Sequence, residues 1–401
     1  MSAIKPMTKT WLTNAAIAVW ISTNSVLILL YGLSGTKGHA AATAAVMIAP
    51  LLVVSGKFRP LSADYLFAAL SALMVASVVV HGRTTTDREY ALLALSMAAY
   101  PAFRAVGHRF DLLRFSYITA ALVSVGTLLT AWAVVYDQSG EYKPLVMGFH
   151  EGPTVFSLTW CFLVFAFLSM NLSSFQWRVV GGLIALPAFV FAAAMVRHPF
   201  IALAVTLVAT ARMGSRRQIV VAGLVCLSIV VGLAARPTMS GKIIGLVLEN
   251  AQKPVVACDT QDTFAIRIIL TKEALNLLPK VGFLGQGIGT FAQQSCYKAE
   301  PHNVVLQAAV EVGVPAALLL AAAFVLAAMS AAKRARSNAV ASFVFAGLVF
   351  VGIESLMSGS MTNSALLFGF MGWAVGLPQN DGHETSDQLH SLAGPQPVPQ
   401  P

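Results

Sequence analysis

Charged residues are scarce in this chain. They make up 11% of its 401 residues, against 57% for hydrophobic residues, and the mean hydropathy is +0.74. A soluble domain carries roughly a quarter charged residues, so a chain this poor in charge has too little polar surface to face water. The scarcity excludes a water-soluble protein and indicates an integral membrane protein.

Acidic residues are scarcer than basic residues. The chain has 17 Asp and Glu against 26 Lys and Arg, which gives a net charge of +9. In a membrane protein most of such a basic excess reflects the retention of Lys and Arg on the cytoplasmic side, where these side chains face anionic lipid headgroups. We therefore expect membrane lipids, and no nucleic acid, as partners. A nucleotide-binding loop is also lacking, because the glycines between positions 282 and 289 are not followed by Gly-Lys-Ser/Thr.

Long apolar runs are abundant instead. A transmembrane helix needs about 20 apolar residues, and the first run continues into further spans without the small-residue cleavage site of a signal peptide. The predicted fold class is an all-α polytopic membrane protein with about 12 transmembrane helices. They are expected near 11–32, 40–56, 64–81, 89–106, 112–136, 153–172, 178–196, 199–213, 218–235, 303–330, 338–356 and 360–377.

Lys and Arg are unevenly divided between the two sides that these spans create. With the N-terminus inside, 14 of the 26 fall on the cytoplasmic side, five in the opposite short loops and seven in one long loop. Because Lys and Arg stay on the cytoplasmic side, both termini are predicted to be cytoplasmic and the long loop periplasmic. The predicted location is the bacterial inner membrane.

A single long polar stretch, residues 236–301, interrupts the apolar runs. Around 262–278 its apolar residues recur at loosely helical spacing, which predicts short surface helices within the loop. The stretch divides the chain into four parts: the first nine helices (1–235), the periplasmic loop (236–301), the last three helices (302–377) and a disordered cytoplasmic tail (378–401).

Cysteine is rare, with four residues. Cys161 and Cys226 lie within predicted spans and are expected to pack in the core. Cys258 and Cys296 both lie in the long loop, where two alternatives stay open. An oxidising bacterial periplasm favours a disulfide that closes the loop; two unpaired thiols are the other reading, since sequence does not show proximity.

Two arginines on the predicted outer side stand in apolar settings. Arg197 lies in a hinge so short that it must sit at the outer membrane boundary, where a bound anion would explain a basic residue. Snorkelling to lipid headgroups is the alternative. Arg267 is flanked by phenylalanine and isoleucines, an apolar setting for a side chain that merely faces water. A solvated helix charge is its alternative.

Polar residues recur every four positions where the loop ends. Asn303, Gln307 and Glu311 form one stripe on an otherwise apolar helix, and such residues usually face the bundle interior or a water-filled cavity. His302 precedes them, at a helix N-terminus whose dipole lowers the pKa of a histidine. A neutral histidine can serve as a general base. The alternative is helix capping by His302 or Asn303 without chemistry.

These residue types suit chemistry on a lipid diphosphate, the form in which activated sugars reach the outer side of the membrane. The planar fork of arginine binds phosphate oxygens bidentately, and two arginines could neutralise a leaving diphosphate in place of a metal. The pattern predicts a metal-independent glycosyl transfer without a cofactor. Asp259 and Asp262 could ligate a cation, but two carboxylates at that spacing are common on a solvated loop.

Three motifs between positions 262 and 316 resemble the O-antigen ligase and polymerase superfamily, whose members share about twelve helices and one large periplasmic loop. The resemblance in architecture extends over nearly the whole chain. The motifs are Gly285-Gln-Gly287-Ile-Gly289-Thr-Phe291, Pro301-His302-Asn303-Val-Val-Leu306 and Glu311-Val-Gly313.

The resemblance implies roles for single residues. His302 matches the family's essential histidine and would be the general base, while Arg267 and Arg197 match arginines that bind the diphosphate. Arg197 departs from the family pattern, since it stands in Val-Arg-His-Pro and not between a serine and a small residue. Another departure is the absence of a glycine near Pro315. Substrate-binding or supporting roles are expected for Asn303, Gln307, Glu311, Gly287 and Gly289.

The implied reaction transfers a glycan from undecaprenyl diphosphate to an acceptor hydroxyl with inversion. In a ligase the acceptor is lipid A–core, and this is the leading hypothesis, because the chain shows no extra outer domain for a protein acceptor. A polymerase or a protein oligosaccharyltransferase of the same superfamily stays open. So do a transporter of lipid-linked sugars, although no repeated halves are evident, and an assembly protein, which would leave the stripe after His302 unexplained.

Overall fold

The structure, a computed structural model, describes residues 6–34, 60–106, 110–136, 143–211, 216–237 and 263–378, with the single positions 241, 245 and 258. Within these ranges the chain forms helices, turns and two isolated β-bridges, and no strand. The all-α class is therefore confirmed. Most of the predicted loop before residue 263, with Asp259 and Asp262, lies outside the described residues, as do the predicted span at 40–56 and the tail from residue 379.

The helices before the long polar stretch are α1 (Pro6–Ile21), α2 (Thr23–Ser34), α3 (Ser62–His81), α4 (Asp87–Val106), α5 (Leu112–Tyr136), α6 (Gly152–Ser169), α7 (Ser174–Ala193), α8 (His198–Ala209) and α9 (Arg216–Ala234). Those after it are α10 (Thr263–Leu277), α11 (Thr290–Gln294), α12 (Val304–Glu311), α13 (Val314–Ala335), α14 (Ala339–Met357) and α15 (Ala365–Gly376). Two 3₁₀ turns follow α10 and α14, at Leu278–Lys280 and Met361–Asn363.

Seven of the described helices are long and apolar enough to cross a membrane: α3, α5, α6, α7, α9, α13 and α14. α1 and α2 meet at a bend of 81° and make an eighth if the pair is one broken span. α8 and α15 are apolar but have only 12 residues each. The architecture is that of a multi-pass membrane protein, while the total of twelve spans stays a prediction.

The predicted continuous span over 303–330 is wrong, because two helices replace it. α12 ends at Glu311 and α13 begins at Val314, with Gly313 between them at a φ of +113°. A Cβ atom at Gly313 would lie 2.0 Å from the carbonyl oxygen of Phe283. Only glycine fits that turn, and Pro315 suits the first turn of α13, where no N–H donor is needed.

Two other predicted spans differ from the helices observed. The segment near 89–106 is helical, as α4, but its charged first turn and Arg104 set it apart from the seven apolar helices. Arg104 forms a buried ion pair with Asp64 of α3, at 3.3 Å. The segment near 360–377 begins with a 3₁₀ turn, so only the short α15 remains of it.

The short helix α15 lies inside the bundle. Phe368, Phe370 and Trp373 have no exposed surface, as expected for a helix that is apolar on every side. Gly372 lets the helix approach α4 closely, since a Cβ atom there would lie 2.1 Å from the carbonyl oxygen of Tyr100. Small residues at such contacts are typical of helices packed in membranes.

The loop cysteines are joined in a disulfide, with the Cα atoms of Cys258 and Cys296 5.8 Å apart. This is the first of the two alternatives left open by the sequence. Cys161 is buried as predicted. The core position predicted for Cys226 is wrong: its side chain is exposed on α9, a helix that buries only a narrow strip of residues and leaves the rest of its apolar surface uncovered by protein.

Candidate functional site

The glycine run is a packed turn that encloses the end of α12. The N–H groups of Gln286 and Gly287 donate to the carbonyl oxygens of Val310 and Glu311, at 3.0 and 2.9 Å. These are carbonyls that the helix end would otherwise leave without a partner. A Cβ atom at Gly285, which has a φ of +73°, would lie 2.4 Å from the Glu311 oxygen, so the contact requires glycine.

The other face of the run rests on the loop between α3 and α4. The Thr84 hydroxyl donates to the carbonyl oxygen of Ile288 at 2.6 Å. A Cβ atom at Gly287 would lie 2.8 Å from the Thr84 methyl group, and one at Gly289 would lie 2.7 Å from Thr85 Cβ. Gly287 and Gly289 therefore allow close packing between this loop and the glycine run.

The polar stripe begins with a helix cap. The side-chain oxygen of Asn303 accepts hydrogen bonds from the N–H groups of Val305 and Leu306, at 3.1 and 3.0 Å. Of the two residues that the sequence offered as caps, Asn303 is the one that caps α12. This contact occupies the Asn303 oxygen and fixes where the helix begins, directly after His302.

The rest of the stripe faces the protein interior, where Gln307 and Glu311 are 1% and 0% exposed. Gln307 Nε2 donates to Glu311 Oε2 at 3.0 Å, and Gln307 Oε1 accepts from the N–H of Met361 at 2.9 Å. Gln307 thus ties α12 to the 3₁₀ turn after α14. Both residues therefore lie inside the protein and hold α12, the helix that follows His302, in place.

Two carboxyl groups meet at Gln307. Glu311 lies outside the seven spans, and burial raises its pKa to about 8; the charge of Glu300 acts in the same direction, against hydrogen bonds from Gly289, Gln307 and Phe291. Burial also raises the pKa of Glu300, whose side chain bonds to Ser360 and Gln307. Glu311 Oε1 has no partner of good hydrogen-bond geometry. Glu311 therefore keeps its proton at neutral pH.

Replacing Glu311 with glutamine should flatten the pH dependence of stability. A raised folded-state pKa means that the stabilising, protonated form is fully present below the ordinary value of 4.5, and that its contribution is lost as pH rises to about 8. The melting temperature of the detergent-solubilised wild type should then fall more steeply between pH 5 and 8 than that of the variant. Equal slopes in the two proteins would contradict the assignment.

His302 occupies a strained position between the loop and α12. Its φ of +52° is in the left-handed region, which side chains other than glycine rarely adopt, and its side chain is half-buried. Burial lowers its pKa, and the charge of Arg267 lowers it further. Burial and the charge of Arg267 both favour the neutral form of the histidine that the sequence predicts.

The charge of Arg267 acts on titratable residues in three other segments of the chain. Arg267 lies on α10, and its charge acts on His302 before α12, on His198 at the start of α8 and on Glu354 near the end of α14. Arg197, the N-cap residue of α8, acts on the adjoining His198. The structure therefore brings three predicted residues, Arg267, His302 and Arg197, to one end of the bundle.

His198 and Glu354 are the residues of this cluster that the sequence analysis missed. His198 Nε2 lies 3.6 Å from Glu354 Oε2, and both side chains are mostly buried. Burial, followed by the charges of Arg267, Lys143 and Arg197, lowers the pKa of His198 to about 3. A carboxylate in an apolar span is itself a signal of a functional site, and His198 adjoins Arg197 in the sequence, so both could have been singled out.

An open groove of about 540 Å³ lies beside the glycine run. Hydroxyl groups and two cationic side chains face it, which suits a polyhydroxylated or anionic ligand. Arg83 is ion-paired to Asp87 at 3.1 Å. The groove is lined by Arg83, Thr84, Thr85, Thr86, Gly289, Ala292, Gln293 and Lys298.

In the comparison with protein families, the O-antigen ligase family model matches residues 182–321. The matched segment runs from α7 into α13 and contains Arg197, Arg267, the glycine run and His302. The resemblance to the O-antigen ligase and polymerase superfamily is thereby confirmed for this segment. No curated protein sequence matches the chain.

Proposed function

We propose that this protein is an O-antigen ligase of the bacterial inner membrane. It would transfer a glycan from undecaprenyl diphosphate to a sugar hydroxyl of lipid A–core on the periplasmic side. The observation that carries the proposal is the convergence of Arg267, Arg197 and a neutral His302 at one end of the bundle, within the segment that matches the O-antigen ligase family.

In the proposed reaction, the guanidinium groups of Arg267 and Arg197 bind the diphosphate of the donor. His302 takes the proton of the acceptor hydroxyl while its oxygen attacks the anomeric carbon from the side opposite the diphosphate. The bond from that carbon to the diphosphate breaks, and the electron pair leaves with undecaprenyl diphosphate, so the configuration inverts. The arginines stabilise the charge that develops on the leaving group, which is the role that a metal ion plays in other enzymes.

The proposed orientation follows from charge and from the position of the cluster. The hinge at Arg197, the start of α12 and the end of α14 lie at one end of the bundle, and the short loops on that side hold five Lys and Arg, against 14 on the other. This distribution supports a periplasmic site and cytoplasmic termini. The open groove would then face the periplasm and offer its hydroxyl groups to the acceptor sugars.

A transporter is the rival from another class, and the break between α12 and α13 is an observation in its favour. Transporters bind substrate through carbonyl groups freed where a helix is interrupted. In this protein the carbonyls of Val310 and Glu311 already accept from the glycine run. The glycine run therefore occupies the carbonyl groups at the break. This favours a structural role for the break over a substrate site of a transporter.

The proposal is tested by an assay with competing acceptors. The purified protein would receive a glycan on undecaprenyl diphosphate together with lipid A–core and a second lipid-linked glycan. A ligase extends lipid A–core, and its rate is unchanged by EDTA if the arginines act in place of a metal. Extension of the lipid-linked glycan alone would identify a polymerase, and uptake of the donor into vesicles without product would identify a transporter.

A further inference from the structure

A second polar cavity, which we call the α9 cavity, lies at the end of the bundle opposite to the candidate site. α8 begins at His198, beside Glu354 near the end of α14, so the end of α8 and the first turn of α14 lie at the other end. The α9 cavity has a volume of about 220 Å³, many times the space that one water molecule needs. Its polar lining consists of Ser169, Asn171, Thr210, Arg217, Gln218 and Ser342.

Arg217, in the first turn of α9, brings a positive charge to the wall of this cavity. It donates to the carbonyl oxygen of Met170, just after α6, at 3.3 Å and to Asn171 Oδ1 at 3.1 Å. Its Cζ atom also lies 5.6 Å from the centre of the Trp177 ring, which is a cation–π contact. These contacts hold the guanidinium group in a fixed orientation beside the cavity.

Gln218 brings an unsatisfied hydrogen-bond acceptor to the same wall. Its Nε2 atom donates to the carbonyl oxygen of Thr210, the C-cap residue of α8, at 3.4 Å. Because a carbonyl oxygen only accepts, the amide nitrogen must be the atom that faces Thr210. The other amide atom, Oε1, is buried and has no hydrogen-bond partner among the residues that the structure describes. A buried acceptor without a donor is costly, so this oxygen suits a ligand that brings a hydroxyl or N–H group.

The charge at this end of the bundle is one-sided. No Asp or Glu occurs between positions 152 and 248, whereas Arg178, Arg216 and Arg217 lie near the starts of α7 and α9. In the proposed orientation this end faces the cytoplasm. Basic pockets between transmembrane helices on that side are typical binding sites for the headgroups of anionic lipids.

We propose that the α9 cavity binds the headgroup of an anionic phospholipid that carries hydroxyl groups, as phosphatidylglycerol does. The phosphate binds to Arg217, and a headgroup hydroxyl donates to Gln218 Oε1. The acyl chains lie along the exposed apolar side chains that follow on α9, beginning with Ile219 and Val220. An ammonium headgroup could also donate to Gln218, but the arginines at this end repel it. The site is at the opposite end of the bundle from His302 and does not depend on the proposed function.

Native mass spectrometry of the purified full chain in a neutral detergent tests the proposal, because it counts bound lipid molecules and gives their dissociation constants. The probes are phosphatidylglycerol and phosphatidylmethanol, which have the same phosphodiester charge and differ in the headgroup hydroxyls. The wild type should bind phosphatidylglycerol roughly fivefold more tightly, the contribution of one hydrogen bond to a buried acceptor. Phosphatidylcholine, which carries a positive charge and no N–H or O–H donor, should bind more weakly than both.

Two variants separate the two contacts, and a third is their control. Gln218→Leu removes the acceptor, so it should lose the preference for phosphatidylglycerol and bind phosphatidylmethanol as the wild type does. Arg217→Gln should bind both lipids roughly tenfold more weakly, because a charge-assisted contact with the phosphate is lost. Arg216→Gln is the matched control. The neighbouring arginine is exposed and is not part of the cavity lining, so both affinities should stay within about twofold.

Three results would overturn the proposal. The first is equal binding of phosphatidylglycerol and phosphatidylmethanol to the wild type. The second is an equal loss of affinity in Arg216→Gln and Arg217→Gln, because the effect would then be one of general charge. The third is binding of free glycerol phosphate as tight as that of the lipid, which would identify a soluble phosphate ester as the ligand. If Arg217→Gln does not fold, Gln218→Leu decides, since a lipid preference that persists in this variant would also refute the site.

Discussion

Glycan transfer by a His302→Ala variant should fall by roughly 10²- to 10⁴-fold, the contribution of a positioned general base. The side chain is half-buried near Arg267 and tends to be neutral, so it can accept the proton of an acceptor hydroxyl. Alanine removes the acceptor atom. The check is the initial rate of transfer to lipid A–core, with the melting temperature measured on the same preparation.

The backbone at position 302 calls for a second variant. Because φ is +52°, alanine adds strain that asparagine, which tolerates the left-handed region, does not. His302→Asn should be as inactive as His302→Ala and should melt near the wild-type temperature. His150→Asn is the matched control, since it changes an exposed histidine in the loop before α6 and should leave the rate unchanged. Wild-type activity in His302→Asn would refute the role of the base.

The pH profile gives an independent test of the same role. A general base works only when it is neutral, and the pKa of His302 lies below the ordinary value of 6.5. The rate of the wild type should therefore hold as pH falls through 6.5 and decline at lower pH. The residual rate of His302→Asn should lack that decline. A wild-type profile that already falls near pH 7 would contradict the lowered pKa.

Arg267→Lys should lower kcat/KM for the donor by roughly 10²- to 10³-fold, as expected when one stabiliser of a developing charge is lost. Lysine keeps the positive charge but presents a single ammonium group in place of the planar fork that binds two phosphate oxygens. The effect should fall on both kcat and KM, because the same contact binds the donor and stabilises the leaving group. Donor-dependent initial rates measure it.

The control for Arg267 is Arg236→Lys, at a position two residues beyond the end of α9. Arg236 donates to the carbonyl oxygen of Ala193 at 3.3 Å and has no role in the proposed chemistry. The transfer rate of the Arg236→Lys variant should stay within about twofold of the wild-type rate, because changing a partly exposed charge has only a small effect. Near-normal activity of Arg267→Lys would indicate that Arg267 contacts lipid headgroups and not the donor.

Arg267 also affects the base. Because its charge lowers the pKa of His302, removing the charge in Arg267→Ala should move the acidic decline of the residual rate to higher pH. Arg267→Lys keeps the charge and should leave the decline in place. This pair of variants separates the electrostatic effect on His302 from the loss of the bidentate contact.

Local features of the site could be predicted because they depend on short-range chemistry. The helix at 263–277, the cap formed by Asn303 and the burial of Gln307 and Glu311 all follow from spacing and residue type along a few turns. The break at Gly313 could not be predicted in this way. The carbonyl of Phe283, against which Gly313 packs, lies thirty positions earlier in the chain and is brought there by the fold.

The sequence by itself determined the class of the protein. Its shortage of charge and its long apolar runs require a membrane and helices, because backbone polar groups in lipid must be satisfied within each segment. The tertiary structure decided which charges meet. His198 and Glu354 are 156 positions apart and lie 3.6 Å from each other, a contact that no local pattern encodes, since it arises from the packing of α8 against α14.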